Sequence, residues 1–344
     1  MSPCRVLIVD DSRIFRSVLA EACAELPHVE VVGSVFSGEK ALEFVQQQPV
    51  DVVTLDVEMP GLCGLETLRQ LRSVHGDAVG VLMVSSQTCC GAKTTLAALE
   101  LGAFDFITKP TGGDAAANLT QLRTQLQAKL CLWQNRRSRT PTVTAPPRPV
   151  VRTQAVQALV IGVSTGGPAV LPELLPAICR ATEVPIFLVQ HIVPEFTPVL
   201  VESLGRKCAY AVRLGRDGLG VQPRTLYVAP GDRHLMLRRC NGSLCLGVND
   251  QPKENNCRPA ADVLFRSAAA ALGGGVLGVV LTGMGIDGTA GAGAIKRAGG
   301  TVLVQDEASS IVWGMPGSVV AAGWADAIVP LARLADAVVE IARR

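Results

Sequence analysis

Short apolar runs and amphipathic stretches alternate along most of the chain. Over residues 1–133 the runs fall at 6–9, 29–35, 52–55, 79–84 and 104–108, each of strand length and rich in Val. Near-continuous apolar runs of this kind mark strands buried on both faces. Residues 13–25, 38–47, 62–74 and 92–101 lie between them and read as helices. Strand and helix alternate five times, which predicts a doubly wound parallel sheet. From 156 onward a second α/β pattern begins. Its strands are expected at 158–163, 185–190, 276–281, 301–304 and 325–329, and its helices at 169–179, 259–272, 290–298 and 331–343. Two shorter strands, 234–239 and 244–248, flank Asn241-Gly242, a strong two-residue hairpin signal. The fold class is therefore α/β with two doubly wound domains, the second a Rossmann-like, mostly parallel sheet with a β-hairpin at one side.

Residues 134–155 separate the two patterns. They hold four Pro, five Arg and no acid, and show no apolar period. That composition predicts an extended linker, and domains at 1–133 and 156–344. A nucleic-acid-binding arm would need a presenting fold, and none is visible. The net charge of +2 hides unlike parts: 1–133 carries 10 basic and 15 acidic residues, while the linker is purely basic.

Composition narrows the class. With 48% hydrophobic and 18% charged residues the chain is not disordered. Aromatics at 4% and 34 Gly suit Val-, Ile- and Leu-rich strands joined by tight turns. Eleven Cys, an odd number without C-x-x-C, fit neither a disulfide framework nor paired zinc knuckles, so reduced cytosolic thiols are expected. Residues 1–9 are too short for a signal peptide before Asp10-Asp11. The uncharged stretch 267–286 is interrupted by six Gly and reads as helix, glycine turn and buried strand, not as a membrane span. A cytoplasmic protein is expected.

Four features of 1–133 fall at strand ends: Asp10-Asp11, Asp56, Ser85 and Lys109-Pro110. The carboxyl ends of parallel strands share one crevice, so these groups should converge. Three converging carboxylates repel unless a hard cation joins them, and Mg²⁺ accepts carboxylate, phosphate and water oxygens. A hydroxyl and a lysine nearby suit the remaining phosphoryl oxygens. The crevice thus suits phosphoryl transfer onto Asp56, whereas an Asp pair alone would read as a helix cap. The segments VLIVDDS at 6–12, VVTLDVEMPGLCGLE at 52–66, MVSS at 83–86 and FDFITKP at 104–110 resemble a response-regulator receiver domain. The resemblance implies a (βα)5 fold, with Asp56 accepting phosphate from a sensor histidine kinase. It implies Mg²⁺ held by Asp10, Asp11, Asp56 and the backbone of Glu58, a switch pair Ser85 and Phe106, and Lys109 on the phosphate. Ser85 stands where many receivers have Thr.

The second domain opens with a strand and then Gly162-Val163-Ser164-Thr165-Gly166, which fits the G-x-S-x-G nucleophile elbow. A Gly-rich turn here could also cradle a phosphate, although it lacks the Lys-Ser/Thr ending of a P-loop and the full G-x-G-x-x-G pattern, or Ser164 could simply cap the helix. A serine nucleophile needs a histidine base and a carboxylate that fixes its tautomer. Of four His, His28 and His75 lie in the first domain. His191 ends an apolar strand, while His234 precedes the hairpin strand and reads as half-exposed and structural. Asp287 follows the strand at 276–281, and Asp217, Asp232, Asp250 and Asp262 stay open as alternatives. Ser164, His191 and Asp287 give the order Ser, His, Asp, unlike the α/β-hydrolases.

Around these residues VIGVSTGGP (160–168), VQHIVPEFT (189–197), TLYVAPGDRHL (225–235), RPAADVLFRSAA (258–269), LTGMGIDG (281–288) and VWGMPGSV (312–319) resemble the chemotaxis protein-glutamate methylesterase family. The resemblance implies a serine esterase that removes methyl from glutamates of chemoreceptors, deamidates selected receptor glutamines, and uses no cofactor for the ester chemistry. It implies an oxyanion hole from the Thr165 and Met284 amides, and an unphosphorylated receiver that obstructs catalysis. Partners would be a sensor histidine kinase and methylated chemoreceptors, with membrane association only through the receptors and no nucleic acid. Many members have Met-Pro after the His, where this chain has Ile192-Val193-Pro194. The competing readings are a DNA-binding regulator, disfavoured because no helix-turn-helix follows the linker, and a receiver-controlled, non-catalytic nucleotide-binding or interaction output.

Overall fold

Val-rich runs buried on both faces build two wholly parallel sheets in the computed structural model, which describes residues 3–86, 89–110, 112–137 and 154–343. Contacts divide the chain into two units, Met1–Arg139 and Thr140–Arg344. In the first unit the strands are β1 (Cys4–Val9), β2 (Val29–Val35), β3 (Val52–Asp56), β4 (Gly80–Ser85) and β5 (Asp105–Thr108). The helices are α1 (Arg13–Ala24), α2 (Gly38–Gln47), α3 (Gly64–His75), α4 (Cys89–Glu100) and α5 (Ala115–Arg137). The sheet order β2-β1-β3-β4-β5 is all parallel, as a (βα)5 fold requires. Register aligns the ends that matter: Val9 pairs with Leu55, Asp56 with Val84 and Ser85 with Thr108.

The five-fold alternation and the (βα)5 resemblance imply a helix after β5, and α5 supplies it over Ala115–Arg137. It runs through Arg137, so 134–137 are helical rather than extended linker; residues 138–153 lie outside the described residues.

The second unit contains β6 (Ala158–Val163), α6 (Gly167–Ala181), β7 (Ile186–Gln190), α7 (Thr197–Lys207), β8 (Ala211–Leu214) and β9 (Thr225–Val228). The hairpin β10 (His234–Cys240) and β11 (Ser243–Asn249) follows. Then come α8 (Ala261–Leu272), β12 (Val276–Val280), α9 (Thr289–Arg297), β13 (Thr301–Gln305), α10 (Met315–Ala321), β14 (Ala327–Val329) and α11 (Leu331–Arg343). The main sheet, β14-β13-β12-β6-β7-β9-β8, is parallel throughout, and the hairpin forms a sheet of its own rather than the flank of the main one. The uncharged stretch around 267–286 is α8, a one-turn 3₁₀ helix and β12, and no described helix is long and apolar enough to cross a membrane.

The reduced-thiol expectation fails at one place. The tight Asn241-Gly242 turn brings Cys240 and Cys245 to a Cα separation of 6.0 Å, within disulfide range, and they are bonded.

Burial of Phe265 organises the core between α8 and the sheet. Helix α9 approaches α8 so closely that a Cβ on Gly291 would lie 2.5 Å from Phe265 Cβ and 3.1 Å from the Asp262 backbone. At Gly205 in α7, by contrast, the nearest atom is 3.9 Å from a would-be Cβ. Gly291→Ala is therefore expected to destabilise the unit by about 1–3 kcal/mol in urea unfolding through overpacking. Gly205→Ala should instead stabilise it by up to about 1 kcal/mol, the helix-propensity difference.

Candidate functional site

At the carboxyl end of the first sheet, Asp10 and Asp56 are buried and Asp11 is exposed, and each offers an oxygen within 4.8 Å of the others'. The capping role falls to Ser12, whose Oγ accepts from Phe15 N, so the Asp pair is free of it. Asp10 Oδ1 accepts from Ser12 N at 2.8 Å and Asp56 Oδ1 from Glu58 N at 3.3 Å. Lys109 Nζ lies 2.7 Å from Asp10 Oδ2 and 2.8 Å from Asp56 Oδ2. Lys109 sets one positive charge against three carboxylates, whose clustered oxygens fit a hard divalent cation such as Mg²⁺. Burial pushes the Asp56 carboxyl up, against the hydrogen bond from Lys109 and with the charge of Asp10, to about 6. Ser85 is fully buried, with Oγ accepting from Thr95 Oγ1 at 2.7 Å, and Phe106 is half-buried.

In the second unit the strand-turn-helix context around Ser164 is present. Gly166, at φ 84°, is the N-cap of α6, and no side chain caps that helix, so Ser164 is not a helix cap. The strands align Val163 with Gln190, and His191 N donates to Val163 O at 3.0 Å, so Ser164 and His191 leave adjacent strand ends. Gln190 Nε2 ties the Ser164 and His191 carbonyls together at 2.9 and 3.1 Å. The loop after β12 passes against the serine: Ser164 N donates to Thr282 O, and a Cβ on Gly283 would lie 2.8 Å from Ser164 Cβ and 2.4 Å from Met315 Sδ.

His191 Nε2 and Asp287 Oδ2 are 2.7 Å apart. Asp287, 1% exposed, also accepts from Ala261 N at 2.6 Å, Asp262 N at 3.0 Å, Gly288 N at 3.0 Å and Asn255 Nδ2 at 3.3 Å. Two of these amides open α8, whose N-terminus favours negative charge. Burial raises the Asp287 carboxyl, but His191 and these amides outweigh it and hold it below the usual carboxylate range. With Asp287 ionised, Nε2 carries the proton donated to it, and in the neutral imidazole Nδ1 is the unprotonated nitrogen. Ser164 Oγ hydrogen-bonds to no described residue, and Nδ1 instead faces Cys257 Sγ at 3.6 Å.

The other acids are placed elsewhere. Asp217 bonds Arg238 and Val248 N, Asp232 pairs with Arg258, and the Asp250 carbonyl accepts from Arg258. Asp262 lies beside Asp287 but accepts from Gly291 N and Asn255. His234 is 1% exposed rather than half-exposed: it bridges Pro252 O and Ala260 N and is structural. Thr165 is buried, while Met284 is 45% exposed and its amide meets no acceptor among the described residues. Asn255 and Cys257 were missed in the sequence, because a single Asn or Cys in a loop carries no periodic or motif signal.

Burial lowers the His191 imidazolium, but Asp287, Cys257 and their charges prevail and raise it to about 9. The contribution of this shift to stability is fully present below the ordinary value of about 6.5. It is lost as pH rises through about 9. In heteronuclear NMR the His191 ring is expected to titrate near 9. In Asp287→Asn the loss of the charge at unchanged burial should lower that midpoint by more than about one unit.

Residues 159–338 match the CheB methylesterase family and residues 6–121 the response regulator receiver domain. A protein-glutamate methylesterase/protein-glutamine glutaminase of Trichodesmium erythraeum is 43% identical over 99% of this chain and 98% of its own. One of Nocardioides sp. is 42% identical over 99% and 95%. The Thermotoga maritima CheB methylesterase catalytic domain is 38% identical, covers 54% of this chain and 99% of its own, and superposes with a TM-score of 0.53. The chain belongs to the CheB methylesterase family, with a response regulator receiver domain ahead of the methylesterase domain.

Proposed function

We propose that this chain is a protein-glutamate methylesterase and protein-glutamine glutaminase in which Ser164, His191 and Asp287 carry the chemistry and phosphorylation of Asp56 raises its rate. The observation that carries the catalytic assignment is the 2.7 Å His191–Asp287 hydrogen bond at the strand end next to Ser164. Family membership supports the activity and a chemosensory two-component setting.

His191 Nδ1 takes the Ser164 proton as Oγ attacks the γ-carbonyl carbon of a glutamyl methyl ester. The Thr165 and Met284 amides receive the developing oxyanion, where one such donor is often worth about 3 kcal/mol. The proton on Nδ1 passes to the departing methoxide, and methanol leaves. Water, deprotonated by the same nitrogen, then cleaves the acyl-serine to give the glutamate carboxylate. A receptor glutamine follows the same course with ammonia leaving. The serine must reach within hydrogen-bond distance of Nδ1, and such contacts commonly tighten only with substrate bound.

In the receiver, Asp56 accepts phosphate from a sensor histidine kinase. Asp10, Asp11, Asp56 and the Glu58 backbone would hold Mg²⁺, which when bound supplies neutralising charge for the phosphoryl oxygens. Lys109 balances the remaining charge, and the Ser85 hydroxyl, now bonded to Thr95, and the half-buried Phe106 ring respond to it. The protein substrates are methylated chemoreceptors.

Ser164→Ala should abolish methanol release from methylated receptor membranes while acetyl phosphate still labels it; full activity would refute the nucleophile. Asp56→Asn should lose the label and the phosphodonor-dependent rise in rate. Wild-type methanol release should climb with pH towards the value of about 9 that the paired His191 sets; a rate that falls over this range would exclude His191 as the base.

A further inference from the structure

The esterase chemistry leaves one functional side chain at the site unused. Cys257 Sγ faces the same His191 nitrogen, Nδ1, at 3.6 Å. This placement is built. Residues 254–257 form a tight turn closed by Glu254 N to Cys257 O at 3.0 Å and Cys257 N to Glu254 O at 2.8 Å. Asn255 and Asn256 take φ of 51° and 61°, the left-handed pair of a type I′ turn. One side of the turn sends Asn255 to Asp262 and Asp287, and the other sends Cys257 to His191.

We propose that Cys257 and His191 form an inhibitory binding site for a thiophilic divalent cation, Zn²⁺ above all, with Asp287 as the support behind the histidine. The proposal rests on the assignment of His191 as the catalytic base. Zinc bonds of about 2.3 Å to sulfur and about 2.0–2.1 Å to nitrogen, at a tetrahedral angle, set ligand atoms about 3.6 Å apart. The pair stands at that separation without rearrangement. Zinc-binding histidines commonly give their second N–H to a carboxylate, and Nε2 is 2.7 Å from Asp287 Oδ2. One donor atom each of His191, Cys257 and Asp287 lies within 4.8 Å of the others. On binding, the thiol loses its proton to solvent, any proton on Nδ1 leaves likewise, and zinc–sulfur and zinc–nitrogen bonds form. The remaining coordination positions belong to water. Occupied this way, Nδ1 cannot take the Ser164 proton, so the metal stops the ester reaction reversibly and without redox change.

The test uses the reduced, metal-free full chain, with Cys257→Ala and Cys257→Ser compared with wild type. The ratio of methanol-release rates with and without buffered Zn²⁺ is taken for each protein, so that altered basal rates cancel. Wild type should be inhibited and recover fully with a chelator. Both variants should need more than about tenfold more zinc, since losing a ligand costs at least what losing its supporting partner does. Equal zinc sensitivity in all three proteins, or inhibition that chelation does not reverse, overturns the proposal. Independently of activity, Co²⁺ should give the wild type a thiolate-to-metal absorption band that is diminished in Cys257→Ala and in His191→Gln. An unchanged band in either variant also overturns it. A wild type that releases no methanol refutes the esterase reading, while the cobalt spectra still report on the metal site.

Discussion

Burying a carboxylate away from water costs several kcal/mol unless donors surround it, and the second unit is arranged around meeting that demand at Asp287. Its carboxylate collects the first amides of α8, the amide of Gly288, the side chain of Asn255 and the imidazole of His191. Those donors come from the residue after β7, the turn at 254–257, α8 and the loop after β12, segments far apart in sequence that the fold brings together. Because the amides keep Asp287 ionised, the imidazole is held in one orientation and one tautomer. Asp262 extends the same logic by accepting from Gly291 N near the start of α9. The Phe265–Gly291 packing and the His191–Asp287 pair are therefore one construction, and movement of α8 against α9 would be felt at His191.

Much of this was legible in the sequence because parallel strands buried on both faces give continuous apolar runs. β6, buried along its whole length, falls at the expected residues, as do the half-exposed edge strand β2 and the helix α2, and the Asn-Gly pair placed the hairpin. The rule that groups at strand carboxyl ends converge brought out Asp56 with Lys109, and His191 with Asp287, without knowledge of the contacts. Elements lacking that signal were missed. β8 is a four-residue edge strand with alternating exposure, β9 is only four residues long, and α10 is a seven-residue helix opening on Met-Pro-Gly. α5 does carry an apolar stripe, Leu122, Leu126, Leu130 and Trp133, but it runs straight into the Arg-rich segment, which blurs its end.

The site residues show a similar division. Motif residues such as Ser164 announce themselves by the glycines around them, because the backbone must turn sharply at Gly166 and pass closely at Gly283. Asn255 and Cys257 depend on a turn whose geometry comes from two left-handed asparagines. His234 misled for a related reason. A histidine at the start of a hairpin strand suggests solvent, yet both ring nitrogens are used in bridging backbone groups, which is what allows it to be buried.

The two buried carboxylates at the centres of the two units are tuned in opposite directions, and the difference follows from their partners. Asp287 faces neutral amide donors and an imidazole, with Asp262 as its acidic neighbour, and sits below the usual range. It is a fixed anion, suited to orienting a histidine and unsuited to attack. Asp56 has one backbone donor and one lysine, shares that lysine with Asp10, and is raised to about 6. Its anion is incompletely compensated by the protein alone. A group in that condition gains most from a divalent cation. The same fold principle, groups gathered at the carboxyl edge of a parallel sheet, thus yields a raised carboxyl in one unit and a lowered one in the other. Which one results depends on whether burial is outweighed by an imidazole and several amides, as at Asp287, or only partly offset by one lysine and one amide beside a second acid, as at Asp56.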